Sequence, residues 1–206
     1  MNESYTYLKN YISKHVALSH EDINLVLNAS QEKKFKREES IIRCNELCEN
    51  AYFLIKGSVQ YSIKNIKNEK VIYTFRFEEK IVLAYSLYNN NIAKFDVNAI
   101  EDCTIISIPI LSILELSEKS IAFEKFKFAL TQTHLLELVN YVTDSISKTV
   151  LERYNDLELN FPNINQRIPQ YLIANYLGVS QEHFSRLKKS RNINTATSLN
   201  KNLIAK

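Results

Sequence analysis

Within the stretch IANYLGVSQEHFSRLKK, residues 173–189, seven side chains suited to one kind of chemistry stand close together: Gln181, Glu182, His183, Ser185, Arg186, Lys188 and Lys189. An arginine fork matches the O6/N7 edge of guanine and a glutamine amide matches adenine. A glutamate accepts from a cytosine amino group, and a lysine ammonium neutralises a phosphate. The set points to the reading of DNA. The plainer alternative is a bend where two core helices meet, with its bases forming a solvated face.

The local pattern specifies how these side chains are held. Pro169 is tolerated in a first helical turn because its missing N–H would be unpaired there, so a helix starts at Ile168 or Pro169 and runs to about Tyr176. Gly178 supplies the positive φ of a sharp turn. Ser180 caps a second helix, and Glu182 lies near its positive dipole end. Ile173, Leu177, Val179, Phe184 and Leu187 are spaced to meet between the two helices, with Ala174 small where they approach. The seven polar residues are what this packing leaves outside.

The charge distribution agrees. From Arg167 onward seven basic residues face one acidic residue, a net +6, whereas residues 1–166 carry −3 and the whole chain +3. A basic end fits an anionic partner such as nucleic acid, against the simpler reading of a solvated face. With 206 residues, 45% of them apolar, the chain is able to bury one large core or two modest ones. Its two glycines leave no room for a GxGxxG or phosphate-loop motif, which sets aside the common nucleotide-dependent enzymes. The three cysteines, Cys44, Cys48 and Cys103, cannot all pair within one chain, so a reducing compartment fits. MNESYTYLKNYISKH has no basic start before an apolar run, and no later segment approaches the roughly 18 uncharged residues of a membrane span. A cytoplasmic, non-membrane protein is expected.

Two short helices open the chain: Tyr7, Leu8, Tyr11, Ile12 and Val16 recur at helical spacing, then Ser19 caps a second helix with Asp22 in its first turn. From Lys33 to about Ile110 the texture turns to strands, in AYFLIKGSVQYSI, KVIYTFRF, AKFDVNAI and CTIISI, with bends at Gly57 and NIKNEK. Five or more short strands predict a small antiparallel barrel or sandwich. Pro109 closes this region, and the pattern is helical from about Leu111 through Arg153. There Ile121, Phe128, Leu135, Val139, Val142 and Ile146 form one stripe, and Phe123, Leu130, His134 and Tyr141 lie near a second face. The barrel covers one face and a second copy of the chain is the simplest cover for the other, which suggests a two-fold dimer; burial within one monomer is the alternative. NFPNINQR marks a domain boundary. The expected organisation is α+β: 1–115 helices and barrel, 116–148 a long dimerisation helix, 149–206 a helix-turn-helix domain.

Three runs, IIRCNELCENAYFLIKGSVQYSI, NAIEDCTIISIP and above all RIPQYLIANYLGVSQEHFSRLKK, make nearly the full length resemble the Crp/Fnr family of bacterial transcription regulators. The resemblance implies a cyclic-nucleotide-binding-type β-barrel (a double-stranded β-helix), a dimerisation helix and a helix-turn-helix. It places Gln181, Glu182 and Arg186 at base-reading positions, with His183, Ser185, Lys188 and Lys189 as neighbouring contacts. It also implies that the chain is not an enzyme and that double-stranded DNA, a second copy of itself and RNA polymerase are candidate partners.

The chain departs from that family in two places, the cyclic AMP cassette and the C-terminal end. Members that bind cyclic AMP carry a Gly-Glu pair and an Arg followed by a small hydroxyl residue, so that backbone N–H groups and a guanidinium hold the phosphate. The matching stretch FEEKIVLAYSLYNNNIAKFDVNAIED lacks glycine and has Ala93 and Lys94 where the Arg pair falls. No cofactor is therefore expected and the pocket is degenerate for cyclic AMP, with Arg76, Lys80 and Lys94 as candidates for another anion. Cys44 and Cys48, in CNELC, invite a cluster or redox reading, but a cluster needs about four thiolates and structural burial is favoured; no zinc-type spacing appears among the four histidines. Finally, RNINTATSLNKNLIAK contains no clear strand pair for a wing. A homodimeric, sequence-specific DNA-binding regulator is the expected function. The alternative is a ligand sensor or protein-interaction module whose C-terminal hairpin does not read DNA.

Overall fold

Ser19 ends one helical pattern and starts another: its side chain accepts from the Asp22 N–H at 3.0 Å, separating α1 (Glu3–His15) from α2 (His20–Ala29). The computed structural model describes residues 3–83 and 91–191. Those residues divide into two compact units, Met1–Val142 and Thr143–Lys206.

In the first unit eight strands follow: β1 (Gln31–Phe35), β2 (Ser40–Ile42), β3 (Asn50–Lys56), β4 (Val59–Lys64), β5 (Lys70–Arg76), β6 (Lys80–Val82), β7 (Asp96–Ala99) and β8 (Cys103–Pro109). They form two four-stranded antiparallel sheets, ordered β1-β8-β3-β6 and β2-β7-β4-β5. The expected barrel is thus two facing sheets.

The central strands of the first sheet show why their sequences read as unbroken apolar runs. In β8, Cys103 and Ile105 point into the core between the sheets, while Ile106 and Ile108 point into a second core beneath the helices. In β3, Tyr52 and Leu54 take the first side and Ala51 and Phe53 the second. A strand covered on both faces loses polar alternation. The second core is completed by Leu8 and Ile12 of α1, Ile23 and Val26 of α2, Ile113 and Leu116 of α3 (Ile110–Lys119), and Phe123 and Phe126 of α4 (Ile121–Ser147). Each such aliphatic or aromatic side chain contributes about 1.5–3 kcal/mol when fully buried.

Gly57 joins β3 to β4 with φ +103°, and a Cβ placed there would lie 2.7 Å from Cys103 Sγ and 2.8 Å from the Asp102 carbonyl oxygen. Gly57→Ala is therefore expected to lower stability by about 2–4 kcal/mol, from a disfavoured backbone and a collision together. Chemical denaturation checks this; a midpoint within error of the parent would refute it.

The helical run expected from Leu111 through Arg153 is broken twice. The Ser120 hydroxyl accepts from the Phe123 N–H at 3.3 Å, between α3 and α4. Thr149 and Glu152 form a capping box that opens α5 (Val150–Asn160). The Thr-x-x-Glu spacing was the signal for this second break. The second unit continues with α6 (Ile164–Arg167), α7 (Gln170–Leu177) and α8 (181–191), around a core of Tyr154, Leu157, Ile164, Ile168, Leu172, Ile173, Leu177 and Phe184.

Candidate functional site

The bend between α7 and α8 is built as its residues require. Pro169 stands immediately before α7, and Gly178 at its C-terminus has φ +75°. The Val179 N–H returns to the Ala174 carbonyl at 3.0 Å, satisfying a carbonyl that the ended helix leaves open. Arg153 Nη2 donates to the Leu177 carbonyl at 2.7 Å, placing a cation at the negative end of α7. Ser180 then accepts from the His183 N–H at 3.2 Å and caps α8. Ile173, Ala174, Leu177 and Phe184 are buried between the helices, and Val179 and Leu187 are half-buried beside them.

That packing leaves Gln181, Glu182, His183, Arg186 and Lys189 exposed on α8, with Ser185 half-buried. Gln181, Glu182 and Ser185 lie within the first helical turns, and Arg186 is four residues beyond Glu182, so the base-edge candidates share a face. Lys188 differs: its ammonium donates to Asn165 Oδ1 at 3.0 Å and lies 5.7–5.8 Å from the Phe184 and Tyr154 ring centres. It is held back toward the helical core, where it shares Asn165 with the Tyr154 hydroxyl. Arg191, outside the predicted set, is paired with Glu158. Burial works to raise the Glu158 pKa, but hydrogen bonds from Tyr154, Arg191 and Asn165 outweigh it and hold the carboxyl below its ordinary range. Residues 192–206, where a wing was sought, lie outside the described residues.

In the first unit the three candidate anion ligands are not gathered into one site. Arg76 ends β5 opposite Val59, whereas Lys94 is exposed two residues before Asp96, which pairs with Ser62 further along β4. Arg76 turns toward α4: Nη2 pairs with Glu137 at 2.5 Å, and the guanidinium lies 5.8 Å from the Tyr61 ring centre. Tyr73 stacks on Phe95 with ring centres 5.1 Å apart and meets Tyr141 of α4 edge-on at 5.0 Å. Arg76 and Lys80 both act electrostatically on His134, one turn before Glu137. The sequence offered the basic partners of this cluster but missed Glu137; its position three residues after His134, on the second helical face, was the available signal.

Ala93, where the family has arginine, is fully buried; its N–H donates to the Glu46 carbonyl at 3.0 Å and its carbonyl accepts from the Asn45 N–H at 2.9 Å. A side chain of arginine length has no place in that packing. The intervening 84–90, part of the stretch compared with the cyclic AMP cassette, lie outside the described residues. Cys48 and Cys103 are buried, and burial pushes the Cys103 thiol up to about 11. Among the described residues, no group of three or more His, Cys, Asp and Glu side chains is arranged to hold a metal ion. No described helix is long and apolar enough to cross a membrane.

Burial, then Arg76 and Lys80, lower the His134 pKa below its ordinary 6.5. The unfolded chain then binds a proton at His134 more readily than the folded one, so this group's contribution to stability is complete above pH 6.5 and is lost as pH falls toward the folded value. Stability of the first unit is expected to decline through that window, and His134→Gln to flatten the decline. Melting curves from pH 7.5 down to about 5 test it; identical slopes for the two proteins would contradict it.

Residues 32–120 match the cyclic nucleotide-binding domain family. No curated protein sequence matches the chain. Among solved structures, a Crp/Fnr-family transcriptional regulator from Eubacterium rectale superposes with a TM-score of 0.73 at 16% identity, covering 90% of this chain and 88% of that one. FixK2 from Bradyrhizobium japonicum gives 0.69 at 17% identity, covering 81% and 86%. The catabolite activator protein of Thermus thermophilus gives 0.54 at 17%, covering 87% and 86%. These identities speak for the fold. Residues 32–120 are thus similar to the cyclic nucleotide-binding domain family, and the chain shares its fold with the Crp/Fnr regulators of transcription.

Proposed function

We propose that the protein is a sequence-specific, homodimeric DNA-binding regulator of transcription. The observation that carries this reading is the exposed face of α8: Gln181, Glu182 and Arg186 project from a helix whose other side is fixed by Gly178, Ser180 and Phe184. An α-helix fits the major groove, and two such helices related by a two-fold axis read an inverted repeat with half-sites about one turn apart. The apolar residues exposed along α4 support the dimer: Ile121, Phe128, Leu135 and Val142 recur every seven residues, with Val139 and Ile146 four places after Leu135 and Val142. This is the seam of a two-stranded coiled coil. The cleft is degenerate for cyclic AMP, because Ala93 stands at the arginine position and Arg76 already has Glu137 as its anion.

Binding-site selection followed by gel shift at about 0.1 M salt tests the reading. Arg186→Ala is expected to weaken the selected site by about 10–100-fold and relax preference at one base pair, while leaving the melting temperature unchanged. Absence of any preferred sequence, or an unchanged affinity for Arg186→Ala, would overturn it.

A further inference from the structure

We propose that Glu158 restrains sequence-independent DNA binding by α8, acting as an internal counter-anion that keeps Lys188 and Arg191 from the phosphates of whatever DNA the helix meets. The inference rests on the DNA-reading role proposed above for this helix. Four Lys and Arg side chains stand on α8: Arg186, Lys188, Lys189 and Arg191. Arg186 and Lys189 are exposed, whereas Lys188 and Arg191 are half-buried. Three residues apart, the half-buried pair shares one side of the helix. Both cations are turned to the Tyr154 ring of α5, with Lys188 Nζ 5.8 Å and the Arg191 guanidinium 5.5 Å from its centre.

One carboxylate organises both cations. Glu158, one turn after Tyr154, pairs directly with Arg191, and the two side chains are only 23% and 37% exposed. It reaches Lys188 through Asn165 of α6: Asn165 Nδ2 donates to Glu158 Oε1 at 2.6 Å, and Asn165 Oδ1 accepts from Lys188 Nζ at 3.0 Å. The Tyr154 hydroxyl, 2.7 Å from Glu158 Oε1 and 2.9 Å from Asn165 Oδ1, braces the arrangement. A phosphate would have to take Arg191 from a partly desolvated carboxylate and Lys188 from an amide oxygen and two aromatic faces. Phosphate contacts raise affinity for every sequence and supply nearly all of non-specific binding, whereas base contacts discriminate. Non-specific sites far outnumber a target in genomic DNA, so two fewer phosphate contacts per protomer leave more of the protein free to find it.

Fluorescence titration of the full-length chain with random-sequence duplex DNA, over a series of salt concentrations, tests the restraint. Glu158→Gln keeps the side-chain size and removes the charge; it is expected to raise affinity at about 0.1 M salt about tenfold or more and to steepen the salt slope by about 1–2 per protomer. Lys188→Met with Arg191→Met should leave the parent's affinity and slope unaltered, and should abolish the gain when added to Glu158→Gln. If the two methionines prevent folding beside an intact Glu158, the comparison of Glu158→Gln with and without them decides alone, with melting curves to show that both are folded. A gain that persists without Lys188 and Arg191 would mean that Glu158 acts only as a distant repelling charge, and it would overturn the restraint. So would an unchanged slope for Glu158→Gln in a protein that still selects a DNA sequence, which leaves the DNA-binding reading standing. A parent protein with no affinity for any DNA would overturn both.

Discussion

Phe184→Ala is expected to remove about 3–5 kcal/mol from the second unit. Phe184 is fully buried, and its ring meets Tyr154 perpendicularly with centres 4.9 Å apart. Truncation loses the transfer energy of the ring and the edge-to-face contact, and it leaves a void bounded by Tyr154, whose hydroxyl is tied to Glu158 and Asn165 and so resists collapse into the space. A unit spanning Thr143–Lys206 has only about 3–10 kcal/mol of stability to lose. Circular dichroism should show this unit melting well below the Met1–Val142 unit, and DNA binding should vanish with it. The comparison with Arg186→Ala separates two causes of the same loss of binding: Phe184→Ala fails with a lowered melting transition, Arg186→Ala with an unaltered one. A Phe184→Ala protein that melts like its parent would show that α8 is held by something other than this contact.

The bend between α7 and α8 was legible in the sequence because each of its parts is a local rule: the proline before a helix, the glycine with positive φ, the serine cap and apolar spacing over one turn. The strand region was legible as a class for a related reason, since β3 and β8 are covered on both faces and read as apolar runs. The pairing order of the two sheets was not, because it depends on contacts between residues as distant as Phe35 and Cys103. The break between α3 and α4 was missed where the Ser120 hydroxyl replaces a backbone partner inside a pattern that remains periodic, whereas the expected helix end at 148 lies one residue from the observed end of α4. Lys188 shows the limit for site residues: helical spacing placed it with the phosphate contacts, whereas Asn165 and two aromatic rings draw it to the core side. Arg76 shows the same limit, since no local pattern connects it to Glu137, sixty-one residues away.

Leu135→Glu is expected to weaken self-association more than a thousandfold. In the single chain Leu135 is 59% exposed, so the substitution removes little from the protomer's own core and should leave its melting behaviour close to the parent's. In the proposed dimer the same position faces its two-fold copy across the α4 seam, so each change counts twice. Two leucines leave the interface and two carboxylates enter it facing one another, each costing several kcal/mol unless it is solvated or protonated. More than about 4 kcal/mol in total is a factor above 10³ in the dissociation constant. On the N-terminal side of Leu135, Gln132 stands at an alternate core position, whereas on the C-terminal side Val139, Val142 and Ile146 extend the apolar part toward the end of α4. Association energy should therefore concentrate around and beyond Leu135, and Lys125→Glu, near the other end, should disturb it far less. Sedimentation velocity of the two variants beside the parent makes the comparison, and gel shift extends it: Leu135→Glu should bind an inverted repeat no better than a single half-site. A Leu135→Glu protein that stays dimeric would place the two-fold axis on another surface.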